Sequence, residues 1–554
     1  MMKNRNIHLP SLLTIILIIT ALYIFTISFT FLPLDDTDII QSRLSYLMNF
    51  RNILDIFTTP LYKDFVTSLY RPFLYLTFMV DAILGGGSPS VFHLSNMLFH
   101  IISSLLLYEF LSHFIPAPKI LFGLTFIYAI HPIHVHAVAW ISGRNDILLA
   151  IDLLLIFITF RYSLQYRKHR YYIYHFFLLF ISFFIKETAV VIPVLLVIYA
   201  VWISPKSDNL TVFIPGWILI SGFALLIRSF VVTGNLPLTF TGLMDTSLQF
   251  SIIFTNYLGK LFIPIHYSVL PTTRDMGILP GLIVLITLST IGFAVDKKNK
   301  KLFWFGIVWF ILFLSPTILW GIWSRIDEFY EHRLYIPAIG LLLSVSQLKW
   351  RLLSSISTIV KTFVIVGMSI ILIIMSFERM IKYRDPISFT DAAVLESPSL
   401  ARSHSIRGYE YQNIGDYQKA LSEFEMAIKI KPNIAWVYSN CGQIQLNMKN
   451  YNHAIELFTI AVQMNPKDGN AYFNRAIVYV IVEQLPAAIE DFSEAIQLVP
   501  DNADYFYNRG LAYETMGDNL KAIEDFQSAQ SLLPGDELLI EKIESIKSEN
   551  SLYQ

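Results

Sequence analysis

Hydrophobic residues fill long runs over the first two thirds of the chain and stop near residue 378; beyond that they recur every three to four positions between charged ones. The first pattern predicts helices that cross a membrane, each needing roughly 20 apolar residues. The second predicts amphipathic soluble helices. Candidate spans lie near 11–32, 92–114, 119–135, 145–161, 171–185, 188–204, 212–232, 277–295, 302–320, 333–348 and 356–376, about eleven in all. The stretch Leu248 to Ile265 carries Asn256, Lys260 and Pro264 and is expected to lie along the interface. The first run, Ser11 to Phe31, is long for a signal-peptide core and lacks a small-residue cleavage site, so it reads as a retained helix.

Composition agrees. With 54% hydrophobic and 15% charged residues in 554, the chain is too apolar for an average soluble protein. A net charge of -1 offers no electrostatic basis for binding nucleic acid. The single cysteine, Cys441, excludes an internal disulfide and a cysteine metal site. Basic residues then set the direction of the spans. Lys3, Arg5, Lys119, Arg161, Arg167, Lys168, Arg170, Lys206, Lys297, Lys298, Lys300, Lys301, Lys349 and Arg351 all fall on one side, read as cytoplasmic. An odd span count puts the C-terminal part on the opposite face.

That assignment gathers unusual polar residues on the outer face: Asp35 and Asp36, Arg71, His93, Asn96 and His100, His131 through His136, Arg144 to Asp146, Lys186 and Glu187, Arg274 and Asp275, and Arg325 through Arg333. Their convergence from many spans predicts one site. Carboxylates beside a lipid boundary are costly to hold. Asp35 or Asp36 could cap a helix starting near Thr37 or Ile39. Alternatively, one accepts the proton of an acceptor hydroxyl that attacks a sugar carbon, while the other positions the acceptor or holds a divalent cation. His93, Asn96 and His100 share one helical face; no third strong ligand stands at zinc spacing, so they read as buried hydrogen-bonded groups or contacts to a lipid phosphate. In the dense segment His131 to Asp146, Pro132 ends a span and a short interfacial helix leads to Arg144. Arg144 suits phosphate oxygens or a salt bridge with Asp146 or another outer carboxylate. Lys186 with Glu187, and Glu331 with Arg333, enter spans where charge is expensive; Lys186 and Arg333 are further candidate phosphate ligands. Glu109, Asp152 and Arg228 are the few charges nearer the bilayer middle, fewer than a transporter would carry.

From Ala401 the chain repeats every 34 residues. Gly408, Gly442, Ala476 and Gly510 share one position; Ala420, Ala454, Ala488 and Ala522 a second; Phe424, Phe458, Phe492 and Phe526 a third; Ala427, Ala461, Ala495 and Ala529 a fourth; Pro432, Pro466, Pro500 and Pro534 end the units. This is the tetratricopeptide period: small residues admit a close helix pair, phenylalanine fills the gap and proline stops the second helix. Glu537 to Lys547 is the expected capping helix. Leu485-Pro486 replaces the usual turn of the third unit, so a different connection is expected there. Such repeats make a concave groove for peptides or proteins, which Asn440, Asn474 and Asn508 could line; Tyr438, Tyr472 and Tyr507 line it or pack.

The chain resembles the transmembrane and tetratricopeptide-repeat O-mannosyltransferase family, within the C-type superfamily of polytopic, lipid-linked-sugar glycosyltransferases. The resemblance rests on Asp35-Asp36, Tyr70-Arg71-Pro72, His93-Leu94-Ser95-Asn96 with His100, His131-Pro132 through Gly143-Arg144, Lys186-Glu187, and Glu331 through Pro337, in that order before the repeats. It implies transfer from a polyprenyl-phosphate sugar to a hydroxyl with inversion, a first-loop aspartate being base or acceptor ligand. The family usually reads His-Pro-x-His-Thr-Glu, where this chain has Val135-His136, and its tails often hold more repeats than the four here.

The expectation is therefore an all-α protein. A polytopic body over 1–380 and a linker over 381–400 precede four repeats and a cap over 401–550. The expected activity moves mannose or another hexose from a polyprenyl-phosphate donor to a protein acceptor recruited by the repeats. The donor phosphate would sit near Arg144, Lys186 or Arg333. A metal is not required, though a divalent cation is permitted. Low cysteine and abundant Ile, Lys and Asn suggest a bacterial inner membrane with periplasmic repeats, or the endoplasmic-reticulum membrane with lumenal repeats in a eukaryote. A membrane-anchored scaffold, or transfer to a glycan or lipid, are the rival readings.

Overall fold

The computed structural model describes residues 8–59, 69–204, 210–232, 243–264, 267–273, 277–324, 329–348 and 357–552. Arg274, Asp275, Arg325, Lys3, Arg5, Lys206, Lys349 and Arg351 lie outside the described residues. The chain is all-α, with no β-strand among the described residues, and it divides into two compact units, 1–397 and 398–554.

Among the described residues of the first unit six helices are long and apolar enough to cross a membrane: Leu9–Ser28, Pro89–Ser112, Ile141–Tyr166, Leu210–Val231, Asn299–Trp323 and Thr358–Ile381. A seventh is the pair Pro118–Ile130 and Pro132–Ala139, bent by 44°. Other expected spans are shorter helices, such as His169–Ile185, Ile192–Trp202 and Tyr335–Val345. Several are cut where a charged residue interrupts the apolar run: Lys186 separates the first two, and Glu331 to Leu334 precedes the third. Proline in the first turn starts the helices at Pro72, Pro89 and Pro118, where a missing N–H costs nothing.

One expectation gains a partner and another changes. The helix Leu243–Phe262, expected along the interface, packs one face on the body. Its Ile253, Tyr257 and Leu258 are buried against Phe310, Leu314 and Ile318 of the helix Lys297–Trp323. The segment expected to form an interfacial helix before Arg144 is instead internal: every residue from Ile130 to Ile147 is buried. Gly143 makes that possible. A Cβ there would stand 2.8 Å from the His136 carbonyl oxygen, so the chain closes on itself only with glycine.

In the second unit, helix pairs run from Ala401–Asn413 with Tyr417–Ile430 to Ala503–Thr515 with Asn519–Leu532, followed by Glu537–Leu552. Phe424, Phe458, Phe492 and Phe526 are fully buried. Phe458 lies so close to Gly442 that a Cβ on that glycine would meet its ring at 2.9 Å. Arg475 grips Asp491 at 2.7 and 2.8 Å, and Arg509 grips Asp525 at 2.8 Å through two bonds. The third-unit turn matches the others after all. Gly415, Lys449, Glu483 and Gly517 recur at the repeat period, and all four are left-handed, with φ of 79°, 63°, 60° and 81°.

Candidate functional site

Asp36 opens a short helical segment, Asp36–Ile40, and is fully buried; Asp35 is half-buried beside it. Neither caps that segment with its side chain in the way expected of an N-cap. Asp36 Oδ1 instead accepts from the Ser142 amide at 3.0 Å and the Ser142 hydroxyl at 2.5 Å. Its Oδ2 keeps one long contact, 3.3 Å from the Leu32 amide. Burial pushes the Asp36 carboxyl up to about 7, against the lowering effect of the bonds from Ser142 and Leu32. Leu34, two residues earlier, has φ +74°, a conformation costly for a bulky side chain.

Arg144 starts the helix next to Ser142 and is fully buried. All five of its N–H donors are engaged. Nε meets Asn96 at 2.5 Å, Nη1 meets Asp81 at 2.6 Å and Thr77 at 3.2 Å, and Nη2 meets the Phe92 carbonyl at 2.9 Å and Ser95 at 2.6 Å. It therefore has no donor left for a phosphate. Of the two roles expected for Arg144 the salt bridge is the one present, and its carboxylate partner is Asp81 rather than Asp146. Asn96, besides holding Arg144, donates toward the carbonyls of Val138, Trp140 and Ile141. His100 spans Tyr335 Oη at 2.6 Å and the Ala129 carbonyl at 3.1 Å, while His93 is buried against Phe29. His131 bonds the Leu261 carbonyl at 3.1 Å. Asn96 and His100 thus brace the buried segment, while His93 packs behind them on Phe29.

A second group stands on the other side of that segment. Asp146 meets Lys186 Nζ at 2.6 Å and the His332 ring at 3.7 Å. His332 packs on His136, whose Nδ1 is 3.8 Å from Glu331. Glu331 is fully buried between Lys260 at 2.6 Å and Arg379 at 3.1 Å. Burial alone would raise its carboxyl, but Lys260 and Arg379 outweigh it and hold Glu331 well below the carboxylate range. Arg71 grips Glu187 through Nε and Nη2, at 2.7 Å for the shorter pair, and Arg228 reaches the same carboxylate at 3.4 Å.

Cavity size separates the candidates. Lys186 and Arg333, with Asp146, Thr188 and Thr317, enclose only about 10 Å³, room for one water. Lys186 is committed to Asp146 and has no space for a phosphate group. A polar cavity of about 500 Å³ lies instead beside Lys260, Ser268, Arg379 and Lys382, and an apolar groove of about 400 Å³ runs past His131, His134, Leu341 and Leu372. The sequence reading missed Asp81, Arg379 and the pairing of Lys260. The signal for Arg379 was available: a Glu-Arg pair closing the last apolar run.

Among the described residues no group of three or more His, Cys, Asp or Glu side chains is placed to hold a metal.

The pattern described as "Tetratricopeptide repeat" matches residues 401–434, 437–468 and 503–535, and "TPR repeat" matches 482–517. Human "Protein O-mannosyl-transferase TMTC3" is 29% identical over 164 residues, 28% of this chain and 18% of that protein. Human "Protein O-mannosyl-transferase TMTC1" is 35% identical over 97 residues, 17% of this chain and 11% of that one. The matches thus span less than a fifth of either relative. A solved chain titled "Crystal structure of MamA protein" aligns with 27% of this chain and 83% of its own at 25% identity, with a TM-score of 0.26. An apolar helical body followed by tetratricopeptide repeats, with these relatives, makes the chain similar to the transmembrane and tetratricopeptide-repeat O-mannosyltransferases.

Proposed function

We propose that this chain is a membrane glycosyltransferase that moves mannose or another hexose from a polyprenyl-phosphate donor to a protein hydroxyl on the non-cytoplasmic face, the repeats recruiting the acceptor. The observation that carries it is Asp36: a buried carboxyl whose affinity for a proton is raised to about 7 and whose Oδ2 has one long contact. A general base works best when its affinity for the proton lies near the working pH. Asp36 takes the acceptor proton as the acceptor oxygen bonds to the anomeric carbon. The carbon–oxygen bond to phosphate breaks, and its electron pair leaves with the polyprenyl phosphate. Asp35 orients the acceptor or shares a divalent cation with the donor, and side-chain cations offset the charge of the departing phosphate.

The relatives named as O-mannosyl-transferases support the reaction class. A pure scaffold would need one anchoring helix and would give the buried ion pairs nothing to do. The test is transfer of label from purified polyprenyl-phosphate hexoses to envelope proteins of the host, comparing the native chain with Asp36→Asn and Asp35→Asn. Label on a protein, lost on Asp36→Asn in a folded chain, is the expected result. No transfer from any donor, with partner capture by the repeats intact, sinks the transferase reading in favour of the scaffold.

A further inference from the structure

We infer that residues 382–397, between the helix Thr358–Ile381 and the repeats, form a strap that positions the Asp36–Ser142 pair from both sides. Arg384 and Phe389 are its positioning residues, and Ser397 is its latch. The role of Asp36 as a base rests on the proposed transferase reading.

The strap has a fixed shape of its own. Asp385 caps the helix Pro386–Glu396, accepting from the Ser388 amide at 2.7 Å and the Ser388 hydroxyl at 2.9 Å. Tyr383, Phe389, Ala393 and Ser397 are fully buried, so the segment belongs to the core of the first unit.

It touches both stretches of chain that hold Asp36. On one side the Arg384 carbonyl accepts from the Thr30 amide at 3.1 Å. Two residues after Thr30, the Leu32 amide donates to Asp36 Oδ2. On the other side Phe389 packs on Trp140 with ring centroids 6.2 Å apart, and Tyr383 packs on His136 at 5.5 Å. Two residues after Trp140, the Ser142 amide and hydroxyl donate to Asp36 Oδ1. Each carboxylate oxygen is thus held by a stretch that the strap braces two residues upstream. The Tyr383 and Phe389 rings also meet each other, at 5.8 Å, which joins the two braces. A buried carboxyl held between separate chain segments keeps its place only while those segments keep theirs.

The latch lies at the far end. Ser397 and Ser268 share a hydrogen bond between their hydroxyls at 2.9 Å. Glu396 accepts from the Val269 amide at 2.9 Å and pairs with Lys382. The Ser268 amide in turn donates to Glu331 at 3.2 Å. Only Pro398, Ser399 and Leu400 separate Ser397 from the first repeat helix, Ala401–Asn413. A pull along the backbone from the repeats therefore meets Ser397 and Glu396 first.

The test is hydrogen exchange on the full chain in phosphatidylcholine nanodiscs, read at residues 29–37 and 137–143. Phe389→Ala should speed exchange at both stretches by about tenfold or more and leave the helix Leu279–Ala294 unchanged. Phe389→Leu, which keeps apolar bulk, should restore most of the protection. Equal speeding everywhere is loss of stability and overturns the positioning role. If Phe389→Ala does not fold, the latch decides. Ser268→Cys with Ser397→Cys, closed by oxidant and reopened by reductant, should slow exchange at both stretches about threefold when closed. The native thiol, Cys441, is buried and stays out of the reaction. A pair that does not cross-link, or exchange that ignores the closing, overturns the strap. Sugar transfer separates this inference from the reading it rests on. Where the native chain transfers label, Phe389→Ala should lower kcat about tenfold or more and keep the acceptor KM within about twofold. An unchanged kcat overturns the positioning role alone. A strap that behaves as expected in a chain that transfers no sugar from any donor overturns the transferase reading alone.

Discussion

Asp36 and Ser142, 106 residues apart, are joined by two hydrogen bonds to one carboxylate oxygen, 3.0 Å from the amide and 2.5 Å from the hydroxyl. The contact ties the loop after the first span to the turn before Arg144. It also sets the charge of the candidate base. Below about 7 the Asp36 carboxyl holds its proton and cannot accept another; above it the carboxylate is free to act. Transfer by the native chain should therefore climb with pH through an apparent value near 7. The folded chain binds this proton more tightly than the unfolded one, so ionising Asp36 costs stability as pH rises from about 4 to about 7. A rate profile flat from pH 5 to 8 would contradict the assignment.

Ser142 favours the ionised form of Asp36, since its hydroxyl donates to the charged oxygen. Ser142→Ala should move the rising limb of the rate profile to higher pH while leaving the plateau rate largely in place. A purely structural role would lower the whole profile without moving it. The pH profile of the variant is the measurement, and an unmoved midpoint rules out the coupling.

Arg144 is committed to neighbours, so its removal is a folding lesion. Arg144→Gln strands Asp81 in the interior, and breaking a buried pair costs about 3–5 kcal/mol. Protease resistance and thermal unfolding in detergent should drop sharply, and Asp81→Asn in the same chain should restore part of the loss. A stable Arg144→Gln chain that has lost only donor binding would instead revive Arg144 as a phosphate ligand.

The repeat unit was legible because its signal is local and periodic: a phenylalanine 16 residues after each small residue implies the contact that Phe458 makes with Gly442. The polar residues of the apolar body stood out in the sequence, but not their pairings. Nothing in the sequence couples Glu331 to Lys260, 71 residues away, or Arg144 to Asp81; those depend on helix packing. The partner of Lys260 was not legible, because a lone cation in an apolar stretch says nothing of the carboxylate that another helix brings to it. The composition around Leu485-Pro486 did mislead. The turn follows backbone sterics at Glu483, three residues before the proline.

That turn gives a stability prediction. Glu483 is left-handed at φ 60°, where Gly415 and Gly517 stand in the sister units. A side chain there costs about 1 kcal/mol. Glu483→Gly should raise the melting temperature of the repeat unit by a few degrees, read from the full chain by circular dichroism. A fall would mean that the Glu483 side chain supplies a compensating contact.

The asparagines divide in a way that tests whether the groove recruits the acceptor. Asn508 Nδ2 donates to the Asp504 carbonyl at 2.8 Å, tied back to its own helix, whereas Asn440 and Asn474 hold the equivalent half-buried positions without such a bond. An asparagine whose amide is spent internally has less to offer a peptide backbone. Asn440→Ala with Asn474→Ala should weaken acceptor capture by the full chain at least tenfold and leave the melting temperature of the repeats within a degree or two. Asn508→Ala should weaken it less. Phe458→Ala should do the reverse, removing about 3–5 kcal/mol from the repeat unit through the cavity it leaves against Gly442. If the asparagine pair lowers stability as Phe458→Ala does, these residues are packing groups and the acceptor docks elsewhere.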